Sequence, residues 1–247
     1  MPLREELERS GTWLFRWRSY VPLVLLPLVA IAYIDFRYPR DSRALNEVWE
    51  ALCLAVSVAG IAIRAKTIGH TPAGTSGRNT AQGQVASVVN RTGMYSVVRH
   101  PLYVGNYLMW LGIMMLPRAV WPATVISLAY WLYYERIMFA EEEYLRRKFG
   151  AEYEAWASVT PAFLPDFGKW VRPELPFCLK TVLKREYSGV FAVTVLFAAA
   201  DLAGNAIAGG RARLDAQSTV LLVIGIILYA MLLLVKRRTR WLRVEGR

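Results

Sequence analysis

The sequence predicts an all-α protein, a polytopic bundle of about six transmembrane helices with an interfacial helix at its cytoplasmic side. Three observations carry that expectation. Long uncharged runs recur along the 247 residues, and 55% of the residues are hydrophobic. Prolines and charged residues punctuate the runs, as they do at the ends of membrane helices. Finally, 24 of the 30 Lys and Arg residues fall in alternate connections, which fixes an orientation with both termini inside.

Residues 1–18 mix both charge signs with Trp13, Phe15 and Trp17, and Arg16 and Arg18 flank the last of these. Tryptophan beside arginine suits the headgroup level, so this segment is expected to lie along the interface. Ser19 to Ile34 is a run of 16 uncharged residues containing Pro22 and Pro27, read as a first span. Ala51 to Ile63 has 13 uncharged residues; Trp49 before it and Arg64 and Lys66 after it extend it to a second. A glycine-rich polar connection runs from Gly69 to Arg99. It lacks the Gly-Lys-Ser/Thr ending of a phosphate-binding loop. Asn90-Arg91-Thr92 fits a glycosylation sequon but lies on the inner side of this topology.

Pro101 to Pro117 carries no charge over 17 residues, and Ala119 to Tyr134 carries none over 16. At 1.5 Å per residue each limb is about 25 Å long, close to the ~30 Å hydrocarbon core. With Pro117, Arg118 and Pro122 at the bend, a helical hairpin is expected. Arg99-His100 and Glu141-Glu142 would then emerge on the same side. Arg136 to Val159 reads as a charged helix with a break at Gly150, and Pro161, Pro165, Pro173 and Pro176 make a rigid connector. Tyr187 to Ala200 and Ala216 to Val235 give two further spans. The expected organisation is an interfacial segment at 1–18, a transmembrane core at 19–165, a connector at 166–186 and a C-terminal pair of spans with a basic tail at 187–247.

Several function classes are disfavoured. The net charge of +11 is explained by topology and needs no nucleic-acid partner. Two cysteines and two histidines make neither a disulfide framework nor a metal motif, so no metal is expected. No cleavable signal peptide is expected, since residues 1–19 carry charges of both signs and no small-residue cleavage site follows the first run.

The candidate chemistry sits at the mouth of the hairpin. His100-Pro101 serves equally as a helix start, with Arg99 on lipid phosphate. Glu142 precedes Arg146, and Glu143 precedes Arg147, at the spacing of ordinary surface pairs. Glu141 is followed at that spacing by Leu145, and it shares a face with Ile137 and Phe149. A carboxylate in an apolar stripe needs a partner, either a protein cation or a bound ligand. Asp201 reads as an interfacial residue. Composition and spacing reach a membrane protein with an Arg/His and carboxylate site at its inner face, and they name no reaction.

Gly93-Met-Tyr95-Ser-Val-Val-Arg99-His100-Pro101-Leu-Tyr103-Val-Gly105 resembles the Gly-x-Tyr…Arg-His-Pro-x-Tyr-x-Gly signature of the integral membrane methyltransferases. That family includes isoprenylcysteine carboxyl methyltransferase and the phospholipid N-methyltransferases. Glu141-Glu142-x-x-Leu145-x-x-x-Phe149-Gly150-x-x-Tyr153-x-x-Trp156 is similar to its second motif, and the likeness covers roughly residues 55–165. The N-terminal segment, the Thr-Ser-Gly-Arg-Asn-Thr loop and the two extra C-terminal spans look like a bacterial branch related to lipid A phosphate methyltransferases. One position departs: the family often has an arginine where Ile137 stands, and Arg136 is displaced about 100° around the helix.

The resemblance implies S-adenosylmethionine as cofactor and a membrane lipid or lipidated acceptor in a bacterial inner membrane. It places Gly93, Tyr95, Arg99, His100, Pro101, Tyr103, Gly105, Glu141 and Glu142 around the cofactor, the two glycines by close backbone approach. His100, Glu141 and, with the stated departure, Arg136 stand as catalytic candidates. Arg64, Arg78 and Arg91 are candidates for orienting an anionic acceptor such as the lipid A 1-phosphate. Amine or prenylcysteine acceptors remain alternatives. So do an NADPH-dependent sterol-type reductase, which usually lacks the proline after the histidine, and a non-enzymatic membrane scaffold.

Overall fold

The computed structural model describes residues 2–18, 20–75 and 85–246. Among these residues every regular element is helical. The helices are α1 (Leu3–Trp17), α2 (Leu26–Ala32), α3 (Arg43–Gly69), α4 (Met94–Val97), α5 (Pro101–Met115), α6 (Val120–Phe149), α7 (Ala151–Val159), α8 (Leu179–Gly209) and α9 (Ala216–Arg238). Three of them, α3, α8 and α9, are long and apolar enough to cross a membrane.

The segment expected as the first span is divided. Val21–Leu25 is a 3-10 turn, and α2 has only 7 residues, about 10 Å of rise. Pro22 and Pro27 each remove a backbone donor from what would have been one helix. The second expected span grows in both directions to the 27 residues of α3. Its N-terminus is capped by Ser42, whose Oγ accepts from the Leu45 N–H at 3.4 Å. The hairpin limbs are α5, with 15 residues, and α6, with 30; α6 therefore runs well beyond the uncharged stretch 119–134. Gly150, at φ +53°, separates α6 from α7.

A seam of small residues joins α3 to α5. A Cβ on Gly105 would lie 2.5 Å from the Arg64 Cγ, and one on Gly112 would fall on the Ser57 hydroxyl. The Ser57 hydroxyl donates to the Met109 carbonyl at 2.9 Å. Such close approach is how helices associate where lipid supplies no hydrophobic drive. Gly105 therefore lets α5 pack closely on α3.

The N-terminal helix α1 lies on α6. A Cβ on Gly11 would fall on the Arg136 carbonyl, and the Tyr133 hydroxyl donates to the Leu14 carbonyl at 3.4 Å. Arg4 reaches Glu143 at 2.6 Å, and Arg147 reaches Glu8 at 2.6 Å. Glu143 is 3% exposed, so it is no solvated surface charge. It binds Arg4, 139 residues upstream, and Arg146 rather than Arg147.

The helix α8 begins at Leu179, inside the stretch expected as connector, and packs against α3 and α9. Arg64 and Glu186 form a two-bond pair across α3 and α8, each bond at 2.7 Å. At the opposite end Asp201 is buried within the protein. Its oxygens accept from Asn205 Nδ2 and from the Asp215 N–H, both at 2.8 Å, which ties the α8–α9 turn.

Candidate functional site

The segment 93–103 is shaped by contacts from far along the chain. Gly93, at φ +63°, turns the backbone into α4, and its N–H donates to the Val171 carbonyl at 2.9 Å. The N–H groups of Arg99 and His100 donate to the carbonyls of Pro161 and Ala162 at 2.8 and 3.3 Å. Asp166 N–H closes the strap on the Val97 carbonyl at 2.9 Å. The proline-rich stretch after α7 thus satisfies the backbone donors ahead of Pro101, which occupies the first turn of α5 without needing a donor.

With the backbone so held, His100 points at the returning helix. Its Nε2 lies 2.9 Å from Glu142 Oε1 and its Nδ1 3.6 Å from Glu141 Oε2. The ring stacks on Tyr103 with centroids 5.6 Å apart. Tyr103 donates its hydroxyl to Glu141 Oε2 at 2.9 Å. Arg99 faces Glu142 at 3.1 Å and donates to the Ala157 carbonyl at 2.7 Å. Burial by itself would lower the His100 pKa, but the carboxylates of Glu141 and Glu142 on its two sides reverse this and hold it above its ordinary value. Burial pushes both glutamates up; hydrogen bonding and charge from His100, with help from Tyr103 for Glu141 and Arg99 for Glu142, hold them below the usual carboxylate range. The group is a histidine clamped between two carboxylates, each of which favours its charged form.

This clamp forms the head of a cavity of about 400 Å³. Of the residues expected around a cofactor, Tyr95, Arg99, His100, Pro101, Tyr103 and Glu141 line it. Glu142 stands behind His100, and Gly93 and Gly105 are supports rather than lining. Arg64 lines the cavity too, but its guanidinium is taken up by Glu186 and by Asn106 Oδ1 at 2.5 Å. Arg91 is not brought there: it pairs with Glu152 at 3.3 Å, both half exposed. Arg136 is on the α1 side of α6, 3.3 Å from the Ser10 hydroxyl, where the one-residue displacement puts it. Arg78 lies outside the described residues.

Sequence reasoning missed Arg18, Asn106, Arg185 and Glu186 as lining residues. For Glu186 a signal existed. Val182, Glu186, Val193, Phe197 and Asp201 are buried at helical spacing, so the stripe of the fifth span extends back into the supposed connector. Two carboxylates, three tyrosines and four arginines around a space of this volume fit a cationic, aromatic-bearing cofactor, and the volume lies within the ~300–1,000 Å³ of small-molecule sites. Among the described residues no group of three His, Cys, Asp or Glu side chains is placed to hold a metal ion.

Comparison with known proteins adds five findings. Residues 50–152 match the phospholipid methyltransferase family. A nickel-cobalt-cadmium resistance protein of Alcaligenes xylosoxydans xylosoxydans is 29% identical over 152 residues, 60% of this chain and 62% of the relative. A cobalt-zinc-cadmium resistance protein of Cupriavidus metallidurans is 35% identical over 83 residues, 34% of this chain and 38% of its own. The protein-S-isoprenylcysteine O-methyltransferase of Schizosaccharomyces pombe is 36% identical over 73 residues, 30% of this chain and 31% of its own. The matched stretches thus span less than two thirds of each relative. No solved structure matches the chain.

Proposed function

We propose, from the match of residues 50–152 to the phospholipid methyltransferase family, that this integral membrane chain transfers a methyl group from S-adenosylmethionine to an anionic membrane acceptor. The observation that carries the reading is the clamp of His100 between Glu141 and Glu142 at the head of a cavity set between apolar helices. Arg99, His100, Tyr103 and Glu141 would hold the cofactor. When bound, its sulfonium supplies an electrophilic methyl carbon to an in-line nucleophile.

The chain's own part is alignment and exclusion of water. Tyr103 and His100 fix the Glu141 carboxylate, so a negative charge is available to a cationic ligand without reorganisation. The same clamp bears on the acceptor. The two carboxylates favour the charged form of His100, and both glutamates are held below the usual carboxylate range. In its charged form the ring accepts no proton. An ammonium acceptor, which must lose a proton, is therefore disfavoured against a phosphate or carboxylate oxygen, which is already a nucleophile. The best reading is O-methylation of an anionic lipid head group such as the lipid A 1-phosphate, at the cytoplasmic side of a bacterial inner membrane. The isoprenylcysteine methyltransferase among the relatives is consistent with an anionic oxygen as acceptor.

The test is incubation of the purified protein with methyl-labelled S-adenosylmethionine and a total bacterial lipid extract, followed by lipid mass spectrometry. Label in an acidic lipid species is expected. Label confined to amine head groups would overturn the oxygen assignment, and no labelled lipid at all would overturn the reading as a whole.

A further inference from the structure

A row of polar contacts crosses the cavity wall below the His100 clamp. Glu186 takes two bonds from Arg64, and the remaining guanidinium nitrogen donates to Asn106 Oδ1 at 2.5 Å. Asn106 Nδ2 in turn lies 3.2 Å from the Tyr134 hydroxyl. Chemistry fixes the direction of each bond. A guanidinium has donors and no acceptor, so Asn106 must present its carbonyl oxygen to Arg64. Its amide nitrogen, which also only donates, is thereby turned to Tyr134, and the tyrosine oxygen must accept. The hydroxyl proton of Tyr134 therefore cannot return along the row.

Two places remain for that proton. The Tyr130 ring stacks on Tyr134 with centroids 4.1 Å apart, and the two hydroxyls interact. Tyr130 commits its own proton to the Tyr103 carbonyl at 2.8 Å, so toward Tyr134 it can only accept. The other place is the cavity, which Arg64, Asn106, Tyr134 and Glu186 all line and Tyr130 does not. Tyr134 is 3% exposed, so a bond made there forms away from bulk water, where it is strongest. Tyr134 and Glu141 are seven residues apart on α6, two turns and about 10.5 Å along the same face. A ligand whose charged end lies against Glu141 therefore has Tyr134 on its inner side, toward the bend of the hairpin.

Resting on the methyl-transfer reading, we propose that Tyr134 binds the acceptor, donating its hydroxyl proton in a hydrogen bond to a non-reacting oxygen of a phosphate or carboxylate. The reacting oxygen is thereby aimed at the methyl carbon. Glu186, Arg64 and Asn106 are positioning residues that set the polarity of the hydroxyl. In the step, a bond forms between the acceptor oxygen and the methyl carbon as the carbon–sulfur bond breaks. The electron pair of that bond leaves on sulfur in S-adenosylhomocysteine, and Tyr134 keeps its proton. An ammonium head group brings only donors to this point and cannot take the Tyr134 proton. The row thus gives the site a preference for oxygen that needs no general base.

The experiment is calorimetric binding of dodecyl phosphate and dodecylammonium to the full chain in a neutral detergent, with S-adenosylhomocysteine titrated separately. Dodecyl phosphate is expected to bind more tightly than dodecylammonium. Tyr134→Phe, which removes only the hydroxyl, should weaken dodecyl phosphate by about tenfold and leave S-adenosylhomocysteine within about twofold. Tyr130→Phe, outside the cavity, should keep dodecyl phosphate within about twofold of wild type. Asn106→Asp offers the Tyr134 proton a carboxylate oxygen and turns it out of the cavity. In that background Tyr134→Phe should change dodecyl phosphate affinity by less than about twofold, whatever the new charge does by itself. No binding of dodecyl phosphate by the wild type, wild-type affinity in Tyr134→Phe, or an equal loss in Tyr130→Phe would overturn the assignment. A tenfold loss in both backgrounds would overturn the positioning role of Asn106, and dodecylammonium binding as tight as dodecyl phosphate would overturn the preference for oxygen. If dodecyl phosphate binds through Tyr134 but S-adenosylhomocysteine never binds, the oxygen site stands and the methyl-transfer reading fails.

Discussion

Replacing Glu186 by glutamine tests whether α8 is part of the working site or an appendage to it. Glu186 has a side chain 5% exposed, and it receives both the Nε and an Nη of Arg64, itself 18% exposed, at 2.7 Å each. Removing one partner of a buried pair leaves the other charge uncompensated and typically costs ~3–5 kcal/mol. Glutamine keeps one acceptor and Asn106 still holds the third edge of the guanidinium, so the lower end, about 3 kcal/mol, is expected. That corresponds to a fall in melting temperature of roughly 6–12 °C for a chain of this size. Thermal unfolding in detergent, followed by helical circular dichroism, reads it directly. The pair Arg64→Met with Glu186→Leu should recover most of the loss, because two apolar side chains need no mutual compensation. An unchanged melting temperature in Glu186→Gln, or a double variant worse than the single one, would refute the pairing.

The three adjacent carboxylates should separate by function. Glu141→Gln is expected to lose S-adenosylhomocysteine binding and Glu142→Gln to weaken it through a loosened His100, while Glu143→Gln lowers stability by releasing Arg4 and α1; calorimetry alongside thermal unfolding distinguishes the three. The clamp also sets a pH window. His100 is raised above its ordinary 6.5, so its contribution is complete below that value and is lost as pH rises through the folded pKa; Glu141 and Glu142 are depressed below 4.5, so theirs is present above that value and lost as pH falls through the folded pKa. Melting temperature should therefore fall on the alkaline side beyond the raised His100 value, and His100→Gln should flatten that limb; an unaltered limb in the variant would assign it to another group.

The sequence made the convergence of 99–103 with 141–142 legible because it depends on local quantities: two uncharged runs of similar length and prolines at the bend. It also marked Glu141 as a carboxylate needing a partner, and His100 with Tyr103 proves to be that partner. The distinction drawn between Glu141 and its neighbours failed, because surface pairing at i, i+4 is a local rule and both neighbours have distant partners. Glu142 turns to Arg99 and His100, and Glu143 to Arg4. Arg136 is a candidate through the resemblance and Arg91 through its charge, and packing directs them to α1 and to Glu152. The start of α8 was hidden by Lys180, Lys184 and Arg185, whose charges read as a solvated connector while Val182 and Glu186 continued a buried stripe. The backbone strap from 161–171 onto 93–100 has no side-chain pattern at all, since its donors and acceptors are peptide groups.

The most direct test of the central claim is ligand-dependent thermal stabilisation of the full chain in detergent. S-adenosylhomocysteine at saturating concentration should raise the melting temperature, by mass action on a site present only in the folded state, and NADPH should leave it unchanged. Stabilisation by NADPH without any by S-adenosylhomocysteine would contradict the account and return the clamp of His100, Glu141 and Glu142 to a different chemistry.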